Sequence, residues 1–593
     1  MRIPDITLAG KEAAKFSTSP SLPKPYDQVT GGTTSLTVTE IAIPFALYLL
    51  IYLSTISKVP SVATDSIQYI NHIDASERFF HAHHLLYNSF AWMWIAFWRQ
   101  LGVHTDSALL VSGLNAIFGA LTLCVFYSVL RVRLGCDRLT AFLGTSLPAF
   151  SFSFWYYSGC VEVYIIPLFL LWVCFYILTG DHVGEKTFAL VGFLNGLAVV
   201  LAQMSVLFAP VVFLAAWYAH RRGDLGVARS LRNYVLVAMP TAVIPYWAAL
   251  LYVGRASSFK SAWAWLTLYA NQPQYWSAPS FTTVVKAGAG LGQAFLGGHF
   301  IFAIPGARAW LERMLQGFYM TNEVYLVRNL GKGVAYLLVA LSVALFLIVV
   351  TSLAAGLGHW SRLSSKKQAL VYLLLVWTLA YTILVVFYTA VNAKLWIAQT
   401  LCLWMIFFVL LLGLRTNRGK SARSSEIILA VAVVLTFLVN FMGSIRFTLD
   451  KSNDYYYSRV GPLLSVSKQG DLIVIGTAWK FQPYLRRYGK ASILSLTSVY
   501  RTSGASPESV QQVQSAIDHE LAAGGKVVIS GEALSPEKET IQRYPGITIF
   551  GTVWDRYRQR WHEIQAPTGV VYVLQQTPRN STPAANPSTG VRK

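Results

Sequence analysis

Charge is scarce in this 593-residue chain. Asp, Glu, Lys and Arg make up 13% of it, against roughly 25% in a soluble domain. Hydrophobic residues make up 54%, and mean hydropathy is +0.47. Too little polar surface is available to face water, which excludes a soluble or disordered protein and leaves a polytopic membrane protein. Cysteine is scarce too. Cys124, Cys136, Cys160, Cys174 and Cys402 form no CxxC pair and none lies in the polar tail, which argues against a disulfide framework or thiolate metal site. An early apolar stretch is missing. Residues 1–38 are polar, with Pro20, Pro23 and Pro25, so they read as a disordered cytoplasmic leader rather than a signal peptide. No GxGxxG follows the first strand-like run of the tail, so nucleotide binding is not indicated.

What is present is a series of apolar runs at 39–58, 108–131, 139–158, 161–178, 234–253, 333–357, 369–389, 395–414 and 427–445. The stretch 188–219 is too long for one span, and Gln203 marks its middle, so it reads as a tight hairpin. The total is about eleven spans. Net charge is +21, and its placement is topological. Arg131, Arg133 and Arg138; Arg221, Arg222, Arg229 and Arg232; Arg362, Lys366 and Lys367; and Arg415, Arg418, Lys420 and Arg423 fall on alternate connections. By the positive-inside rule these are cytoplasmic. The opposite side then holds loop 59–107, loop 254–332 and the tail from 446. Aromatics interleave the first loop, which suits helices lying along the membrane surface. The second holds a Gly-rich stretch and is expected to carry interfacial helices and a mobile lid.

The tail changes character. "DLIVIG" (471–476), "ASILSL" (491–496), "KVVIS" (526–530), "ITIF" (547–550) and "VVYVL" (570–574) are strand-like, with a helical pattern at 507–523. The expected architecture is a polytopic α-helical membrane domain over 39–445, an extracytoplasmic α/β domain over 446–578 and a disordered tail over 579–593.

The first outer loop is rich in groups that could do chemistry. Asp65 lies seven residues past the first run. A carboxylate pinned at the membrane boundary is a natural general base for activating a hydroxyl; a solvated Asp at a helix start is the plain alternative. His72, His81, His83 and His84 follow. Three readings of this group stay open: contact with a phosphate, a metal, or a polar interfacial surface. Glu162 sits in a short outer turn, where a carboxylate is costly unless it faces a polar cavity or a partner. Lys394 begins a later span on the outer face. It can hold a phosphate or snorkel to the interface.

The chain resembles the GT-C membrane glycosyltransferases, in particular the protein O-mannosyltransferase-like branch. The resemblance rests on the early outer-loop Asp, on "HHLLYN", on "FSFSFWYYSGCVEVYIIPLFLL" and on "YYYSRVGPLLSVSKQGDLIVIGTAWKFQPYLRRYG". It covers 39–220 and returns at 369–490. It implies a polyprenyl-phosphate-linked sugar donor and a protein, lipid or glycan acceptor; it fixes no cofactor, and a divalent metal stays open. Asp65 would be the base and Glu162 a positioning carboxylate. His83, His84 and Tyr87 would lie along the donor. Lys394, placed by its own position and not by the resemblance, would stand at the lipid-facing edge on the phosphate side. Displacement at a sugar carbon by one base inverts stereochemistry, which separates base and phosphate groups by about 6–9 Å. The expected setting is a bacterial inner membrane with the site and C-terminus facing the periplasm. A non-catalytic assembly protein and a secondary transporter are the competing classes. Nucleic acid is not an expected partner.

Overall fold

A computed structural model of the chain describes residues 36–63, 65–315, 320–414, 420–566 and 569–575. The leader up to residue 35, the tail from 579, and Arg415 and Arg418 lie outside them. Helix dominates because an apolar run in lipid must satisfy its own backbone groups. Among the described residues seven helices are long and apolar enough to cross a membrane: Ser107–Arg133, Gln203–Arg221, Val227–Tyr252, Lys332–Gly358, Ser365–Phe387, Ala393–Gly413 and Ser424–Thr448. Val38–Ser54 and Ile165–Leu178 are shorter and apolar. The run 139–158 is a broken pair, Arg138–Ala149 and Phe152–Ser158, interrupted just after Pro148. The 188–219 stretch is a hairpin. Helix Glu185–Leu201 ends, and Gln203 opens the next turn.

Small residues let these helices approach closely. A Cβ on Gly192 would lie 2.4 Å from the Tyr234 carbonyl oxygen, and one on Gly196 2.9 Å from that of Ala238. Helices Glu185–Leu201 and Val227–Tyr252 therefore pack backbone to backbone, locked by Tyr234 Oη donating to Asn195 Oδ1 at 2.6 Å. One end of the bundle gathers the Arg-bearing connections. Arg131 and Arg138 both bind Glu40, at 2.8 and 2.6 Å. Arg222 donates to the Gly180 carbonyl at 3.1 Å, and Lys366 pairs with Asp181 at 2.5 Å. Arg133 donates to the Tyr176 carbonyl at 3.1 Å, beside Gly180, so the connections 131–138, 179–187, 220–233 and 359–368 converge, as the alternate-connection count requires.

The tail forms a five-stranded sheet: β1 Leu472–Ile475, β2 Ser492–Ser495, β3 Val527–Ser530, β4 Trp561–Ala566 and β5 Gly569–Leu574, in the order β2-β1-β3-β5-β4. β1 runs parallel to β2 and β3, and β5 is antiparallel to β3 and β4. The two-residue side-chain period splits β1 between two cores. Leu472 and Val474 pack with Val513, Ile517 and Leu521 of helix Pro507–Ala522. Ile473 and Ile475 pack with Tyr455, Tyr456 and Tyr484, in one cluster with Ile67, Ile70 and Tyr87 of the first outer loop. The sheet thereby rests on that loop. One expected strand is absent, and one strand was not expected. "ITIF" lies in a 3-10 turn, Pro545–Phe550, where Ile547 and Phe550 share a buried face three residues apart. A strand period would have sent them to opposite faces. Trp561–Ala566 is an edge strand, too polar on its outer side to stand out by composition.

Candidate active site

Asp65 occupies the N-cap position of helix Ser66–Asp74, yet its carboxylate does not cap it. Oδ2 instead accepts from Lys394 Nζ at 2.5 Å, and 41% of the side chain stays open. Its neighbours set this position. Ser66 Oγ donates to the Val161 carbonyl at 2.6 Å, tying the helix start to the turn that carries Glu162. Trp155 Nε1 donates to Thr55 Oγ1 at 2.8 Å, and Tyr156 Oη to the Val59 carbonyl at 2.9 Å, drawing the end of the first helix to the same place.

Glu162 is fully buried in the turn before helix Ile165–Leu178. Oε1 accepts the Val163 N–H at 2.9 Å, and Oε2 lies 3.5 Å from Lys394 Nζ. Asn115 holds the turn from helix Ser107–Ser128. Its Nδ2 donates to the carbonyls of Cys160 and Glu162 at 2.7 and 2.8 Å. Burial pushes the Glu162 carboxyl up to about 7; Lys394 opposes the rise and Asp65 adds to it.

Lys394 sits between the two carboxylates, with 6% of its side chain exposed. The expected lipid-facing edge is therefore not where the structure has it. The 2.5 Å contact with Asp65 is also shorter than the separation of about 6–9 Å expected between a base and a phosphate group. Sequence position locates Lys394 at a span start. Only the fold reveals that this start is tucked beneath loop 254–332. The Thr389 N–H donates to the Tyr275 carbonyl at 3.1 Å, and Trp276 bridges to Tyr388.

The histidines form a neighbouring group. His81 and His84 stack at 4.2 Å between centroids, and the Tyr69 ring stands edge-on to His84 at 4.9 Å and to Tyr87 at 6.1 Å. Tyr69 links the two groups: after burial, Asp65, Lys394 and Glu162 are the charges that act on its phenol. Tyr87 is buried, with the Glu162 charge acting on it likewise. Burial lowers the basicity of all three imidazoles, with His81 falling to about 4, His83 below its ordinary value and His84 well below it. Burial thus favours the neutral, hydrogen-bonding form of each ring over the cation.

Lys394 also lines a narrow pocket among the apolar spans, with Tyr164, Leu168, Leu171, Met204 and Tyr381. A charged cluster thus heads a slot lined by lipid-compatible side chains.

No protein-family model matches the chain, and no curated protein matches it. Solved structures do. ArnT from Cupriavidus metallidurans bound to undecaprenyl phosphate superposes with a TM-score of 0.51 at 8% identity, over 91% of this chain and 98% of that one. Its apo form gives 0.51 at 8% identity, over 90% and 97%. The chain shares its fold with ArnT. The S. cerevisiae protein O-mannosyltransferase Pmt1-Pmt2 complex aligns at 19% identity over 41% of this chain and 36% of that one, with a TM-score of 0.28. That is too low to carry the branch expectation.

The residues gathered around Asp65 and Glu162 do not fit a divalent metal. Among the described residues no group of three or more His, Cys, Asp or Glu could hold a metal ion. The space between Asp65 and Glu162 is spanned by an ammonium, which cannot be a ligand while protonated. Sequence reading also missed Asn115 and Tyr69. Asn115 carried a signal: an amide within a long apolar run is a functional candidate by default. Tyr69 carried none, since aromatics fill that loop.

Proposed function

We propose that the chain is an integral membrane glycosyltransferase that moves a sugar from a polyprenyl-phosphate donor to an extracytoplasmic acceptor with inversion. The observation that carries this reading is the Asp65–Lys394–Glu162 cluster at the head of an apolar cleft. ArnT, which shares the fold, holds undecaprenyl phosphate, and a lipid phosphate of that kind suits a charged head over an apolar slot.

In this reaction the acceptor hydroxyl oxygen attacks the anomeric carbon. The bond from that carbon to the phosphate oxygen breaks on the opposite face, and the lipid phosphate leaves with the electron pair. Asp65, the more open carboxylate, takes the hydroxyl proton. Glu162 is buried and holds Lys394, so it positions rather than accepts. The phosphate leaves as an anion and needs little protonation, so one base suffices. Neutral His83 and His84 and the Tyr87 hydroxyl are the hydrogen-bonding groups on the donor side. The outer end of the bundle, opposite the Arg-bearing connections, faces the periplasm of a bacterial inner membrane in this reading. The acceptor class, whether protein, lipid or glycan, follows from the chemistry only as a hydroxyl-bearing molecule.

Purified protein offered a panel of polyprenyl-phosphate sugars should release lipid phosphate from one of them. Asp65→Asn keeps size and hydrogen bonding but loses the base, and should slow that release by about 10²–10⁴. Wild-type turnover in a folded Asp65→Asn protein would remove the assignment.

A further inference from the structure

We propose that Lys394 is the resident cation of this site, placed where a divalent metal would otherwise bridge Asp65 and Glu162. The inference rests on the transferase reading for its purpose, though not for its chemistry. Two carboxylates held around one point repel each other unless a cation stands between them. Lys394 Nζ meets Asp65 Oδ2 at 2.5 Å and Glu162 Oε2 at 3.5 Å, and no other Lys or Arg pairs with either carboxylate among the described residues. The ring of Tyr164 lies 5.8 Å from Nζ and closes one side.

The backbone around Lys394 is built to hold it there. It stands on the 3-10 turn Ala393–Trp396, whose four residues are all buried. Asn392 Oδ1 accepts the Lys394 N–H at 3.3 Å. Trp396 Nε1 donates to the Ala390 carbonyl at 2.8 Å, closing the loop on itself. Thr389, just before it, has φ +49°, a conformation a β-branched residue adopts only when its surroundings demand it. A lysine free to snorkel would need none of this. A tethered ammonium cannot exchange with solvent, so the carboxylate pair keeps its geometry whatever the metal supply. Lys394 is in this sense a positioning residue, acting through Asp65 and Glu162.

Metal binding can be read without any sugar donor, so the test stands apart from the transferase reading. Full-length protein in detergent would be titrated with Mn2+ and followed by electron paramagnetic resonance. Wild type should bind no stoichiometric Mn2+. Lys394→Ala and the closer-volume Lys394→Met leave two adjacent carboxylates without a cation. Either variant should bind one Mn2+ at least about tenfold more tightly than wild type. Adding Asp65→Asn to either variant should abolish that binding. In parallel, EDTA should leave wild-type lipid-phosphate release unchanged. One Mn2+ per wild-type chain that disappears in Asp65→Asn would overturn the proposal. So would a Lys394→Met protein that melts as wild type does and binds none.

Discussion

The backbone N–H of Ser61 donates to Asp454 Oδ2 at 3.1 Å, across 393 residues of chain. Ser61 lies four residues before Asp65, and Asp454 opens the helix that leads into the sheet. Tyr484 Oη and the Tyr457 N–H donate to the same carboxylate at 2.9 and 2.8 Å. This one buried side chain therefore ties the loop that carries Asp65 to the tail domain.

Burial pushes the Asp454 carboxyl up to about 6, with its hydrogen-bond donors opposing the rise. A carboxyl raised in the folded state contributes stability that is complete below its ordinary value of 3.8 and is lost as pH rises through about 6. Asp454→Asn removes that titration. The melting temperature of wild type minus that of the variant should fall between about pH 4 and pH 7. A difference independent of pH would show that Asp454 does not titrate in that window.

Glu162 gives a second pH dependence, in turnover. Its carboxyl is raised to about 7, first by burial, and the titratable groups that interact with it are Lys394, Asp65, Tyr69, Tyr87, Tyr157, Cys160 and Tyr164. Below that pH the protonated Glu162 no longer shares Lys394, and the ammonium is left to Asp65 alone. Lipid-phosphate release should therefore rise as pH passes through about 7. Glu162→Gln should flatten that limb at a reduced rate. An unchanged limb in Glu162→Gln would assign the titration to another group.

The Arg-bearing connections meet at the end of the bundle away from Asp65, so the tail should lie outside the cytoplasm. A reporter fused after Lys593 and active only when exported should be active. Activity instead from a reporter that requires the cytoplasm would reverse the placement of the site.

The membrane domain was legible because lipid imposes a local rule. A span needs about 20 apolar residues in a row, and each run read from sequence is helical here. Alternation and length also revealed four of the five strands, and they failed at "ITIF" because a buried i, i+3 pair and a short strand look alike. Asp65 and Glu162 were legible as carboxylates where a carboxylate is expensive. Lys394 was legible as a residue but not as their partner. The ion pair with Asp65 spans 329 residues, and no periodicity encodes a contact made by packing one turn under another loop. The hold of Asn115 on the Glu162 turn is hidden for the same reason.

That packing makes a test of two glycines on one helix. Gly290 and Gly288 both lie in Phe281–Leu296. A Cβ on Gly290 would stand 2.1 Å from the Ala390 carbonyl oxygen and 2.7 Å from Trp396 Nε1, whereas one on Gly288 meets nothing within 4 Å. Backbone cannot yield as a flexible side chain can, so Gly290→Ala must push the helix off the 390–396 segment that carries Lys394. Gly288→Ala only replaces a poor helix former, a gain of roughly 0.5–1 kcal/mol. Gly290→Ala should therefore lower both the melting temperature and lipid-phosphate release. Gly288→Ala should raise the first slightly and leave the second intact. Equal behaviour of the two variants would mean that this helix does not press on the Lys394 turn.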